Sequence, residues 1–138
     1  MQTVNTADIY TCDILLIDDD IDEHFLFECL LDDIGLNKRL LAFDSGKKAI
    51  QYLNTLSRDD LPSLIVLDYF MSVMSGKHLL LYINSMSRFS RIPVIVHSSQ
   101  MGEDIKIDLM KSGAIECFKK TPDMKELKMF LALSNNLK

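Results

Sequence analysis

The chain has little cysteine and no pattern in it. Cys12, Cys29 and Cys117 show no C-x-x-C or other metal-ligand spacing, and an odd number argues against a disulfide framework, so a reducing compartment fits best. No apolar run approaches the roughly 18 residues of a membrane span. Met1 to Thr11 lacks the basic start and apolar core of a secretion signal and reads as a flexible tail over residues 1–11. Basic residues do not predominate either. Fifteen Lys and Arg against twenty Asp and Glu leave a net charge of −5, which argues against a nucleic-acid partner. The chain shows no internal repeat, low-complexity segment or domain linker. Together these absences point to a cytoplasmic chain with no membrane association. Its 138 residues, 48% apolar and 25% charged, read as a single domain over 12–138 with room for a real core.

What is present is a set of short apolar runs that stop at acid. Leu64-Ile65-Val66-Leu67 is too short for a helix, follows Pro62, and ends in Asp68. It reads as a strand buried on both faces. Ile14-Leu15-Leu16-Ile17 ends the same way, in Asp18-Asp19-Asp20. Burying an unpaired carboxylate is costly, so two such strand ends imply one shared acidic pocket.

Between these runs the period changes. Ile21, Phe25, Leu26, Cys29, Leu30 and Ile34 fall at helical spacing, with Asp22 and Glu23 in a first turn and Gly35 as a stop. Leu40 to Phe43 reads as a second strand, and Asp44-Ser45 as the cap of a helix burying Ala49, Ile50, Leu53 and Leu56. Leu79, Leu80, Ile83 and Met86 mark a third helix after Gly76. Pro93 opens a strand over Val94 to Ser98, and a helix over Glu103 to Lys111 follows. A strand near Glu116 to Lys119 leads to Thr121-Pro122-Asp123, a helix-start signal before Met124, Leu127, Phe130 and Leu131. Five β-α units at this rhythm predict an α/β fold, a doubly wound five-stranded parallel sheet. In the order 2-1-3-4-5 the binding crevice opens between strands one and three, where the acid is.

The strand ends then gather Asp18, Asp19, Asp68, Ser98 and Lys120 around one concavity. Carboxylates about 5 Å apart repel by roughly 3 kcal/mol per pair at an effective dielectric near 20. Either one is protonated or a cation lies among them. Hard oxygen ligands suit Mg²⁺. A metal and a lysine converging on one carboxylate describe a phosphoryl-transfer site with Asp68 as nucleophile.

Asp18-Asp19, Asp68-x-x-Met71-x-x-x-x-Gly76, Ser98 five residues after Pro93, and Lys120 seven after Gly113 resemble the receiver domain of two-component response regulators, from about Asp13 to Leu133. The resemblance implies a flavodoxin-like (βα)5 fold. It implies a phosphoacceptor Asp68, served by a sensor histidine kinase or a histidine phosphotransfer protein. Mg²⁺ is held by Asp19, Asp68 and the backbone carbonyl of Phe70, with Asp18 acting largely through water. Lys120 pairs with the phosphoryl oxygens, and the Ser98 hydroxyl bonds one of them. Self-phosphorylation and slow self-dephosphorylation are the only chemistry expected, so the chain reads as a signalling module and not an enzyme. Too few residues follow the last helix for an output domain, so the expectation is a stand-alone receiver, monomer or weak dimer. It would signal to a downstream protein through helix four, strand five and helix five, or relay the phosphoryl group.

Three positions depart from the family pattern. Ser72 stands where Pro is usual, Thr121 separates Lys120 from Pro122, and Cys117 replaces the aromatic switch. Lys119 is therefore a rival for the lysine role. Phe118 should face away from Cys117. Phe70 and Gln100 flank the approach of water to the phosphoryl group. Among blander readings, Asp20 and Asp22 are helix-start acids, His24 and His78 lie on helix surfaces, and His97 is a satisfied core histidine. The alternatives are a docking module that needs no phosphorylation, and a haloacid dehalogenase-like phosphatase using Asp18 in Asp18-x-Asp20.

Overall fold

The computed structural model describes residues 11–134, so all of the expected tail but Thr11 lies outside the described residues. The short apolar runs form the strands: β1 (Ile14–Ile17), β2 (Leu40–Phe43), β3 (Leu64–Leu67), β4 (Val94–Ser98) and β5 (Glu116–Lys119). They alternate with α1 (Ile21–Asp33), α2 (Gly46–Leu53), α3 (Gly76–Ser85), α4 (Glu103–Lys111) and α5 (Lys125–Leu133). All pairings are parallel and the order is β2-β1-β3-β4-β5, as the sequence rhythm predicts.

Side chains alternate across the sheet, so each central strand feeds two cores. Leu15, Ile17, Ile65, Leu67, Val94 and Val96 meet Ala49 and Leu53 of α2, Leu79, Leu80 and Ile83 of α3, and Leu109 of α4. Ile14, Leu16, Val66, Ile95 and Phe118 meet Phe27, Leu30 and Leu31 of α1 and Leu127 and Leu131 of α5. Each fully buried Leu, Ile or Phe contributes about 1.5–3 kcal/mol. Caps hold the helix starts where the sequence places them. Asp20 accepts from the Asp22 amide, and Ser45 from that of Lys48.

Two helices differ from expectation. The buried face of α1 is Phe27, Leu30 and Leu31, whereas Ile21 and Phe25 are 68% and 65% exposed and Leu26 is also exposed. Of the periodic set, Leu30 lies in the core and Ile34 packs against it, whereas Ile21, Phe25 and Leu26 fall on the outward face. In α5 the helix begins at Lys125, and Met124 precedes it with φ 49°, turning its side chain into the core from outside the helix.

The loop from Tyr69 to Ser75 closes back on the strand it leaves. The Gly76 amide donates to the Tyr69 carbonyl at 2.8 Å. A Cβ on Gly76 would lie 2.1 Å from the Asp68 carbonyl oxygen and 2.8 Å from the Tyr69 Cα, so only glycine fits without moving backbone. Gly76→Ala is expected to cost about 1–3 kcal/mol, as overpacking against rigid neighbours does. Urea denaturation reads this directly; an unchanged midpoint would mean that the loop moves aside freely.

Candidate functional site

Register decides which groups meet. Ile17 of β1 pairs with Leu67 of β3, so the next residues, Asp18 and Asp68, end adjacent strands side by side. The Asp68 amide donates to the Ile17 carbonyl at 3.0 Å, extending the ladder one residue into the site. At the other flank Ser98 pairs with Lys119, and the Lys120 amide donates to the Ser98 carbonyl at 2.7 Å. Asp18, Asp68 and Lys120 all alternate onto the α1/α5 side of the sheet, the side of Leu16, Val66 and Phe118.

There Lys120 extends into the acid. Its Nζ donates to Asp18 Oδ2 at 2.8 Å and lies 3.7 Å from Asp68 Oδ2 and 3.8 Å from Glu23 Oε1. Asp18 is otherwise held by the Asp20 amide on Oδ1 at 3.0 Å. Asp19 is exposed, and its Oδ2 accepts from the Ser72 amide at 3.0 Å, linking the β1–α1 and β3–α3 loops. Burial opposes the charge on Lys120, but Asp18, then Asp68 and Glu23, outweigh it and hold the ammonium above its ordinary pKa. Lys119 is exposed, so Lys120 takes the position for which the two were rivals.

Asp68 carries the strain of the arrangement. It is 7% exposed, and its Oδ1 is buried with no hydrogen-bond partner among the described residues. Burial, then the nearby Asp18 charge, push its carboxyl up to about 6, and Lys120 offsets this only in part. Asp18, Asp19 and Asp68 each offer an oxygen such that all three lie within 4.8 Å of one another. A hard, oxygen-only donor set with one buried oxygen left unpaired fits a small divalent cation such as Mg²⁺.

Of the remaining expected residues, Ser98 is fully buried, and its Oγ accepts from the Gln100 amide at 3.4 Å. Phe70 is 49% exposed, with its ring edge-on to Tyr69 at 4.5 Å. Cys117 packs in the α2/α3/α4 core and Phe118 in the opposite one, against Phe130, as alternation requires. His97 is buried as expected but not satisfied. Its Nε2 has no partner among the described residues, and burial, aided by the Lys120 charge, pulls its pKa down to about 4, keeping it neutral.

Two residues contribute that the sequence reading placed elsewhere. His24 is not a bystander on the helix surface, since its Nε2 lies 2.6 Å from the Asp18 carbonyl oxygen. Glu23, read only as a helix-dipole acid, is half-buried and faces Lys120. The available signal was Asp20-x-x-Glu23, which marks the third helix position, just beyond the strand-end acids.

A five-stranded parallel α/β sheet with an acidic cluster and a lysine at its carboxyl edge defines the class. The particular family follows from comparison. The family model "Response regulator receiver domain" matches residues 14–132, and the chain belongs to that family. It is 30% identical over 133 residues to the two-component response regulator ARR7 of Arabidopsis thaliana, covering 91% of this chain and 62% of that one. It is 39% identical over 62 residues to the two-component response regulator ORR5 of Oryza sativa subsp. japonica, covering 45% of this chain and 44% of the relative. The matches thus span about half the length of these curated relatives. Among solved structures, a response regulator receiver protein from Pseudomonas putida superposes with a TM-score of 0.71 at 23% identity, over 86% of this chain and 93% of that one. The receiver domain of sensor histidine kinase PA1611 from Pseudomonas aeruginosa, which holds a magnesium ion in its active site cleft, gives 0.72 at 19% identity, over 91% and 98%. These neighbours share the fold. Membership of the receiver family sets aside the phosphatase reading of Asp18-x-Asp20, and Asp20 serves as the α1 cap.

The raised Asp68 carboxyl fixes the sign of a pH effect. Between the usual carboxylate range and about 6, the folded chain keeps a proton that the unfolded chain has lost, so stability falls as pH rises through that window. Asp68→Asn removes the charge. In metal-free buffer the variant is expected to be more stable than the parent by about 1–3 kcal/mol at pH 7.5, with the difference vanishing near pH 4. Mg²⁺ should stabilise the parent more than the variant. Thermal unfolding at the two pH values, with and without Mg²⁺, measures all three.

Proposed function

We propose that this receiver domain accepts a phosphoryl group on Asp68 from the phosphohistidine of a sensor histidine kinase or a histidine phosphotransfer protein. The observation that carries this reading is the unpaired, buried Asp68 Oδ1 in a cluster whose other carboxylates and Lys120 are already engaged. An Asp68 oxygen attacks phosphorus, the P–N bond breaks, and its electron pair leaves with the imidazole nitrogen, giving an acyl phosphate and a free histidine. Lys120 and the Ser98 hydroxyl take the phosphoryl oxygens as charge moves onto them. When bound at Asp18, Asp19, Asp68 and the Phe70 carbonyl, Mg²⁺ supplies charge neutralisation for those oxygens. Exposed Ile21 and Phe25 on α1, with Phe70 and Val73 after Asp68, give the surroundings of the site an apolar character that suits a protein donor. The free thiols support a cytoplasmic location.

The new group adds about −1.5 to −2 charges and biases two pre-existing conformations. The surface of α4, β5 and α5 then passes the signal to a downstream protein. Incubation with Mg²⁺ and a small acyl phosphate is expected to add one phosphoryl group per chain by intact mass, with no gain in Asp68→Asn. No gain in the parent would leave a docking module that works without phosphorylation.

Phe70 bears on how long the signal lasts. Its half-exposed ring lies two residues after Asp68, where a hydrolytic water would approach. Phe70→Asn is expected to shorten the phosphoprotein lifetime several-fold, read by loss of the phosphorylated mass with time. A lifetime equal to or longer than the parent's would contradict the shielding role.

A further inference from the structure

The geometry points to Glu23 as a positioning residue that restrains phosphoryl transfer at Asp68, by competing for Lys120 and by adding a fourth carboxylate to the site. This inference rests on the phosphoacceptor reading of Asp68. Glu23 is fixed by the start of α1. The Asp20 side chain accepts from the Asp22 amide, and the Glu23 amide donates to the Asp20 carbonyl, both at 3.0 Å, so the first turn is locked beside the strand-end acids. From there the Glu23 carboxylate reaches to 3.8 Å from Lys120 Nζ, almost the same separation as the 3.7 Å to Asp68. Asp18 anchors the ammonium at 2.8 Å, and the other two acids share what remains of it.

That sharing has a direction. To stabilise an acyl phosphate on Asp68, the ammonium must turn toward the phosphoryl oxygens. Glu23 is a half-buried acceptor that draws it elsewhere, in surroundings where charge is weakly screened. The same carboxylate deepens the negative field that an incoming phosphate dianion must enter. Both effects slow the gain of the phosphoryl group, and neither requires Glu23 to touch the reacting atoms.

The test compares the parent chain of residues 1–138 with Glu23→Gln, Glu23→Asp and Asp68→Asn, each with Mg²⁺ and acetyl phosphate, following the phosphorylated mass over time. Glu23→Gln keeps the shape and loses the charge, and should be phosphorylated about three- to tenfold faster than the parent. Glu23→Asp keeps the charge and should stay close to the parental rate. A Glu23→Gln rate equal to or below the parent's overturns the inference. So does equal acceleration in Glu23→Asp, which would trace the effect to packing. If neither the parent nor any variant is labelled, the phosphoacceptor reading itself falls and this inference with it; a labelled parent with an unresponsive Glu23→Gln sinks the inference alone.

Discussion

Everything in the molecule accommodates the repulsion between carboxylates at neighbouring strand ends. Oxygens of Asp18, Asp19 and Asp68 lie within 4.8 Å of one another. At that separation each charged pair costs roughly 3 kcal/mol at an effective dielectric near 20. Three such pairs would consume much of the about 5–15 kcal/mol that holds a domain folded. The chain offsets them in two ways of its own. Lys120 crosses from the end of β5 to bond Asp18, and the Asp68 carboxyl, pushed to about 6, sheds its charge below that pH. What these leave over is a buried oxygen, Asp68 Oδ1, with no hydrogen-bond partner among the described residues, where the proposed cation or phosphoryl group would find its place.

Only a stiff scaffold keeps like charges this close. β1, β3 and β4 are interior strands packed on both faces, and their ends cannot splay without opening two cores. Gly76 adds a backbone contact that closes the loop directly over Asp68. The Ser72 amide ties Asp19 to the same loop. A proline, usual at this position in receivers, has no N–H to donate. Ser72 in that place thus fastens the loop to a candidate metal ligand.

The central strands and the facing acids were legible because parallel strands of equal length, in register, bring like positions together. Ile17 and Leu67 pair, so the residues after them must meet. Spacing narrowed the lysine to Lys119 or Lys120, and only the fold separates them, since Lys119 is exposed and Lys120 reaches Asp18. The buried face of α1 was legible only in part, since Leu30 and Ile34 pack as their spacing predicts but Ile21, Phe25 and Leu26 do not. That helix carries apolar residues nearly all round, of which Ile21, Phe25 and Leu26 are exposed and Phe27, Leu30 and Leu31 buried. A 3.6-residue period fits both faces, and only packing against β1 and β3 chooses between them. Glu23 was hidden for a related reason. A first-turn acid is favoured by the helix dipole whatever lies nearby, so its sequence position carries no sign of Lys120.

The same reasoning locates where a change of charge at Asp68 meets least resistance. Among the five helices α4 buries a single residue, Leu109. Ile105 packs against the same core only partly buried, Asn84 Nδ2 donates to the carbonyl of the C-cap Ser112 at 2.9 Å, and two ion pairs, Lys77 to Asp108 at 2.8 Å and Lys106 to Glu116 at 3.2 Å, have partly exposed side chains that contribute little. Buried Cys117 has no ring to rotate between core and surface, so no aromatic side chain at that position couples β5 to α4. The covalent path is shorter. Ser98, at the end of β4, accepts from the Gln100 amide, and α4 begins three residues after Gln100. Should the Ser98 side chain rotate toward a phosphoryl group on Asp68, as proposed, its long bond from the Gln100 amide is the contact it would give up, and the loop so loosened leads into α4.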